Sequence, residues 1–348
     1  MLEAIDLLRS APDQIARPVR EGGGIRDWIW KGTEPGATAA LDAVLAYPRG
    51  KTGLHYRIAF AEVAQRLEIV DERIENDQTF QGHTDRYFYY RFQNGHPVLN
   101  LAGGPRQLRR EDVDPGRSIL AQRRDPEQYP EITYLAETLP RIRLYRDWQF
   151  GRRTPPRLPQ PADLPNEILA EDGSNLGLVL NRLRRDAPVR TRLLAALRKL
   201  YDGIEDYDVQ IEGGTVQVFF HERGATVPAT RLSDGTLRYL CLLAILCHPA
   251  PPPLVCIEEP ELGLHPDVLP TIAGLLRAAS EHCQLIVTTH SDVLVDAMTQ
   301  TPEDVVVCEK RDGTTVLRRL AHKDLRGWTD RYRLGALWTR GEIGGTRW

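Results

Sequence analysis

The chain has 348 residues, enough for one large domain or two modest ones. Its 41% hydrophobic and 27% charged content is that of an ordinary globular protein, and a net charge of −3 gives no global field toward nucleic acid. No apolar run approaches the roughly 20 residues of a membrane-spanning helix, so no membrane partner is expected.

The N-terminal MLEAIDLLRS is acidic and amphipathic, without the basic and apolar regions of a secretory signal. The five cysteines, Cys241, Cys247, Cys256, Cys283 and Cys308, include no Cys-x-x-Cys pair and sit mostly in apolar runs. They read as free thiols of a reducing cytoplasm rather than metal ligands or disulfides. Charge is uneven: residues 101–160 hold twelve Arg, no Lys and eight Asp or Glu. The pattern reads as a solvated basic face in preference to a nucleic-acid surface.

In chain order, residues 1–10 predict a helix with Leu2, Ala4, Ile5 and Leu8 on one face. Gly22–Gly24 breaks the chain. HYRIAFAEV, QRLEIVDERIE and RYFYYRFQNG, within 54–100, predict an antiparallel sheet, the last run ending in an Asn-Gly turn. Residues 101–164 read as irregular, with a proline-rich connector at 155–165. Residues 175–200 predict a helix split at Pro188, and VQVFFHE (216–222) a strand.

From Arg231 the pattern alternates. LCLLAILCH and VLPTIAGLLRAASEH read as helices, while LVCIEE, QLIVTTH and VVVCEK read as buried strands, which argues for a parallel sheet covered on both faces. The tail, 321–348, holds three of the six tryptophans, at 328, 338 and 348, and reads as packed on the core.

Three motifs in this half carry chemistry. LVCIEE puts Glu258 and Glu259 at the carboxyl edge of a parallel sheet, where such sheets bind ligands. One carboxylate there can hold Mg2+ through water, and the next can take a proton from an attacking water. In LSDGT, Ser233 and Asp234 suit a helix N-cap, and Gly235 allows close backbone approach, so the helix start is a natural phosphate site. In TTHS, His290 ends a strand where an imidazole can bond a terminal phosphate. Each motif alone is weak; their order and spacing are specific.

Together, LSDGT, LVCIEEPELGLHP and TTHS resemble the signature, extended Walker B with D-loop, and H-loop of an ABC-type ATPase head of the SMC/RecF/OLD-like, AAA-annotated family. The wording Glu-Glu-Pro-Glu, and the lack of a clear Gln-loop, disfavour a transporter subunit. The resemblance implies a P-loop NTPase-like α/β fold with a mostly parallel sheet and flanking helices, plus an antiparallel β-rich lobe and a helical insertion. Its divisions would be 1–164, the remainder of the first lobe; 165–230, the helical insertion and a strand; 231–320, the ATPase core; and 321–348, the tail.

The resemblance also implies roles. Glu258 takes the magnesium side, Glu259 is the general base and His290 the γ-phosphate switch. Ser233, Asp234 and Gly235 meet a nucleotide held mainly by the other protomer, and Leu262, Gly263, Leu264 and His265 form the D-loop at the dimer seam. ATP and Mg2+ are the implied cofactors and a homodimer the implied assembly. DNA and a companion protein encoded nearby are further candidate partners, in DNA maintenance or phage defence.

The sequence departs from the family in one respect: it contains no Gly-x-x-x-x-Gly-Lys-Ser/Thr. Gly50-Lys51-Thr52-Gly53 reads as a loop. MLEAIDLL resembles the continuation of a P-loop helix, so a start codon placed too far downstream is expected, in preference to a truncated gene. Loss of the P-loop strand would leave QLIVTTH and VVVCEK without a backbone partner. Losing four charge-assisted phosphate bonds at about 1.5–3 kcal/mol each would cost roughly 6–12 kcal/mol. The 348-residue chain alone is therefore expected to bind ATP poorly; an equilibrium titration with labelled nucleotide giving micromolar affinity would contradict this.

Overall fold

The computed structural model describes residues 1–32, 36–101, 104–108, 112–325, 327–328 and 331–345. It divides into two compact units, Met1–Ile142 and Arg143–Trp348.

In the first unit, helices α1 (Leu2–Ser10), α2 (Ala16–Glu21) and α3 (Ile25–Trp28) precede an antiparallel sheet. Its strands are β1 (Thr38–Leu45), β2 (Leu54–Val63), β3 (Arg66–Asn76), β4 (Phe88–Gln93), β5 (His96–Leu101) and β6 (Gly104–Gln107), paired in sequence order. Helices α4 (Ile119–Gln122) and α5 (Pro130–Thr138) follow. The Asn94-Gly95 turn has positive φ at both residues, the geometry that matches strand twist in a two-residue hairpin. Alternation places Leu54, Tyr56, Ile58, Phe60, Ile74, Tyr90 and Phe92 on the buried face. On the other face Arg57, Arg73 and Arg91 stand in direct cross-strand register. Like charges so placed repel; here Asp42, Asp71 and Glu75 lie between them, at 2.6 Å (Arg57–Asp42), 2.9 Å (Arg73–Asp71) and 2.9 Å (Arg91–Glu75).

The second unit begins with β7 (Arg143–Tyr145) and β8 (Gln160–Pro161), then α6 (Leu176–Leu183) and α7 (Ala187–Leu197). Strands β9 (Ile204–Glu212), β10 (Thr215–Glu222) and β11 (Ala225–Pro228) form an antiparallel sheet with β8. The remaining elements are α8 (Asp234–Leu246), β12 (Leu254–Glu258), α9 (Leu269–Ser280), β13 (Gln284–Thr288), α10 (Asp292–Asp296), β14 (Val306–Arg311), β15 (Thr314–Arg319) and α11 (Leu334–Thr339). Helix α8 is apolar on nearly all sides and lies at the centre of the core, packed among Val179, Leu193, Phe220, Ile257 and Ile272.

Several expectations change. The parallel sheet has three strands, in the order β13-β12-β7, and the largest sheet is the antiparallel one. Residues 101–164, expected to be irregular, hold α4, α5, β7 and β8. VVVCEK is not a buried parallel strand: β14 pairs antiparallel with β15 in an exposed hairpin. The reason is Asp312-Gly313, whose positive φ values close a two-residue turn directly after β14. QLIVTTH is half-buried rather than buried; it keeps β12 as a neighbour and is the edge strand of its sheet among the described residues. Gly50–Gly53 is a loop, as expected. In the tail, Trp338 packs against a small cluster of Val307, Leu320, Leu334, Leu337 and Ile343, Trp328 is exposed, and Trp348 lies outside the described residues, as do Arg109 and Arg110 of the arginine-rich stretch. Among the described residues, no helix is long and apolar enough to cross a membrane.

Two carboxylates of the first unit are buried: Glu75, paired with Arg91, and Glu72, which lacks a cationic partner among the ion pairs of the described residues. Glu72 is 1% exposed on the apolar face of β3. It accepts from Tyr56 Oη (2.8 Å), Ser118 Oγ (2.5 Å) and the Ile119 N–H (2.9 Å), tying the sheet to the start of α4. Burial pushes its carboxyl up to about 7, against the pull of those donors. A raised carboxyl pKa means that, between the unfolded value and about 7, the folded state holds a proton that the unfolded chain has released, so stability falls as pH rises across that window. The loss should reach about 3 kcal/mol by neutral pH, and Glu72→Gln should abolish this part of the slope. Denaturant unfolding of both proteins from about pH 5 to about pH 8 checks it; identical slopes would contradict the assignment.

Candidate active site at the carboxyl edge of the parallel sheet

Strand β12 is the middle strand of the parallel sheet, and its Val255, Cys256 and Ile257 are buried. In register, Glu258 stands opposite Thr288 of β13, and Ile257 opposite Tyr145 of β7. The residues that follow each strand therefore leave the sheet at one edge.

Glu259 continues the ladder, its N–H donating to the Thr288 carbonyl at 2.9 Å. It then turns with φ +43°, a left-handed conformation that costs a non-glycine residue about 1–2 kcal/mol. The turn brings Glu259 Oε1 to 3.5 Å from His290 Nε2. The imidazole is 80% exposed and the carboxylate 30%, so the pair faces solvent on one side. Glu258 points elsewhere, with Oε2 3.4 Å from Arg146 Nε at the end of β7.

Glu261 was not singled out from sequence. Its Oε1 accepts from Thr289 Oγ1 and from the His290 N–H, both at 2.7 Å, which fixes the backbone that carries the imidazole. Glu261 Oε2 and Thr288 Oγ1 are buried polar atoms without a hydrogen-bond partner. Such atoms are costly and mark where further groups would fit. Arg238, on α8, lies behind the turn at 9% exposure. It donates to the Glu259 and Trp148 carbonyls at 3.4 and 3.3 Å and stacks over Trp148 and Phe150. Burial lowers its pKa, while Cys241, Glu261 and Glu259 pull it back up; guanidinium keeps its charge in any case.

The residues of LSDGT form the start of α8. Ser233 is the N-cap: its Oγ accepts from the Thr236 N–H at 3.0 Å. Ser233 and Asp234 are exposed, so a second molecule can reach them. Asp234 is not free, because Arg157 holds its carboxylate. Gly235 also has a packing task within the chain. A Cβ there would stand 2.5 Å from the Gly263 carbonyl oxygen, so glycine is needed for the turn after β12 to pack on the helix start. In that turn Leu262 is 51% exposed, Gly263 has φ +70° and Leu264 packs inward. His265 caps the following turn by accepting from the Asp267 N–H.

The described residues contain no group of three or more His, Cys, Asp or Glu able to hold a metal alone. A magnesium ion does not require one, since it commonly binds through one or two carboxylates, water and substrate phosphates.

The close approach at Gly235 is testable. Alanine there should favour the helix by up to about 1 kcal/mol on propensity alone. The clash with a backbone carbonyl should outweigh this and destabilise the protein by about 1–3 kcal/mol. Thermal melts decide the sign; a raised midpoint for Gly235→Ala would show that the two segments are not pressed together.

Comparison with known proteins gives the family and the fold. The chain resembles the crystal structure of an Smc head bound to the C-terminal winged-helix domain of ScpA, at TM-score 0.55 and 14% identity, covering 92% of this chain and 86% of that one. It also matches the Pyrococcus furiosus Smc head with an extended coiled coil, at TM-score 0.47 and 13% identity, covering 98% and 89%. No curated protein matches. Residues 60–296 match the family AAA_21, described as "AAA domain, putative AbiEii toxin, Type IV TA system". The chain belongs to this AAA-domain family and has the fold of an SMC-type ATPase head.

Proposed function

We propose that this chain is the ATP-binding and ATP-hydrolysing head of an SMC/RecF-like ATPase that acts as a dimer, in DNA maintenance or phage defence. The observation that carries the reading is the convergence of Glu259 and His290, 3.5 Å apart at the tips of adjacent parallel strands. In this reading Glu259 takes the proton from the attacking water, and His290 donates to the terminal phosphate. Glu258 faces Mg2+ through water and exchanges its Arg146 partner for the ion. Ser233, Asp234 and Gly235 present the dipole end of α8 to a nucleotide on the second protomer. Leu262 to His265 lie on the seam, which the exposure of Leu262 supports. A companion protein would have its counterpart in the ScpA domain bound by the Smc head.

A second reading has its own support. The sequence has no Gly-x-x-x-x-Gly-Lys-Ser/Thr, β13 is the edge strand of its sheet among the described residues, and Glu261 Oε2 and Thr288 Oγ1 lack partners at that edge. The chain would then be a non-hydrolysing half-site or regulatory module that engages ATP held by a P-loop-bearing protein.

Hydrolysis assays on the chain alone, and mixed with a P-loop-bearing relative, separate the two readings: activity only in the mixture favours the second. Wherever hydrolysis is seen, Glu259→Gln should slow turnover by about 10²–10⁴-fold and accumulate the ATP-bound dimer. Unchanged turnover in that variant would remove Glu259 as the base.

A further inference from the structure

The segment leading into α8, residues 229–233, is held by one side chain that lies more than 70 positions earlier in the sequence. Arg157 is 8% exposed. Its Nε donates to the Gly151 carbonyl at 2.9 Å, within its own turn. Its Nη1 donates to the carbonyls of Thr230, at 3.4 Å, and Leu232. Its Nη2 donates to Asp234 Oδ1. The planar guanidinium therefore bridges two carbonyls of the segment and the first residue of the helix, with its remaining bond anchoring it to its own turn.

The arrangement has a direction. The fork is buried, while Asp234 is 58% exposed at the side chain and Ser233 is exposed beside it. On another side, the Gly263 carbonyl is pressed against Gly235. The start of α8 is thus fixed by two contacts, a hydrogen-bonded fork and a steric stop, and neither uses the outward surface of Ser233. A residue serving only to fill the core would bond to core elements; the hydrogen-bond partners of the Arg157 guanidinium are confined to residues 151 and 230–234.

We propose that Arg157 is a positioning residue for the signature segment: it sets the angle at which Ser233 and the first turn of α8 meet the nucleotide of a second protomer. The assignment rests on the dimer reading above for its purpose, though not for its geometry. Lysine cannot replace it, because a single ammonium cannot serve two carbonyls and a carboxylate in one plane.

Two measurements on the full chain test this. In hydrogen exchange without nucleotide, Arg157→Lys should raise the exchange of amides within 230–237 by about tenfold or more and leave α9 and β12 unchanged. Exchange that rises throughout the unit would mean a general core staple, and exchange that does not rise would mean no clamp; either overturns the proposal. In sedimentation with millimolar Mg·ATP, Arg157→Lys should weaken ATP-driven association by about tenfold, while the nucleotide affinity of the dilute chain stays at the wild-type value. Equal association of wild type and variant overturns the positioning role. A wild type that does not associate at all removes the homodimer of this chain, in favour of the half-site reading, and the exchange result then decides the clamp alone. Arg157→Ala is a second variant in both measurements and should exceed the lysine effect.

Discussion

The site depends on the parallel register of β12 against β13. With Glu258 opposite Thr288, the next residues of both strands leave the sheet at the same level. Everything chemical follows from that offset: Glu259 one residue beyond its strand, His290 two beyond its own, and 3.5 Å between their side chains. A slip of one residue would turn every side chain of a strand to the other face and exchange the roles of Glu258 and Glu259. The ladder fixes the offset through five consecutive pairs, from Leu254 opposite Gln284 to Glu258 opposite Thr288.

Sequence reading was strong where local signals and tertiary needs agree. The apolar run ending in Glu-Glu, the Ser-Asp-Gly helix start and the Thr-His strand end all stand where their patterns place them. Reading failed where one signal was given too much weight. VVVCEK has the composition of a buried strand, but Asp312-Gly313 behind it makes a hairpin, and only one face of β14 meets the small cluster around Leu334 and Leu337. β7 is three residues long and flanked by arginines, so no periodicity could reveal it; it exists because β12 offers it a ladder. The division after Ile142 likewise left no mark in composition, whereas the proline-rich stretch at 155–165 falls inside the second unit.

Charge at the site is shared among residues of very different visibility. Glu258 and Glu259 announce themselves at a strand end. The arginines around the site do not: Arg146, beside Glu258, follows β7; Arg157, beside Asp234, lies in the proline-rich stretch; and Arg238, bonded to the Glu259 carbonyl, is hidden in a helix that reads as apolar. The arginine-rich stretch 101–160 reads as a solvated basic face, yet its Arg157 is at least nine-tenths buried and bonded to backbone carbonyls, as is Arg238 farther along the chain. Burying a guanidinium is tolerable only when its donors are met. Both meet theirs on backbone carbonyls outside the sheet ladders: those of Glu259 and Trp148 for Arg238, and those of Thr230 and Leu232, ahead of the Ser233 cap, for Arg157.

The two glycines of the site belong to one mechanical arrangement. Gly263 adopts φ +70°, which turns its carbonyl toward the start of α8, and Gly235 lacks the side chain that would block it. Glu261, two residues before Gly263, accepts from the Thr289 hydroxyl and the His290 N–H. The exposed turn at Leu262 therefore touches the helix cap on one side and the histidine on the other through contacts of a few ångströms. Packed backbone of this kind deforms little. A displacement of the turn after β12 is therefore resisted on one side by the start of α8 and on the other by the Thr289–His290 segment.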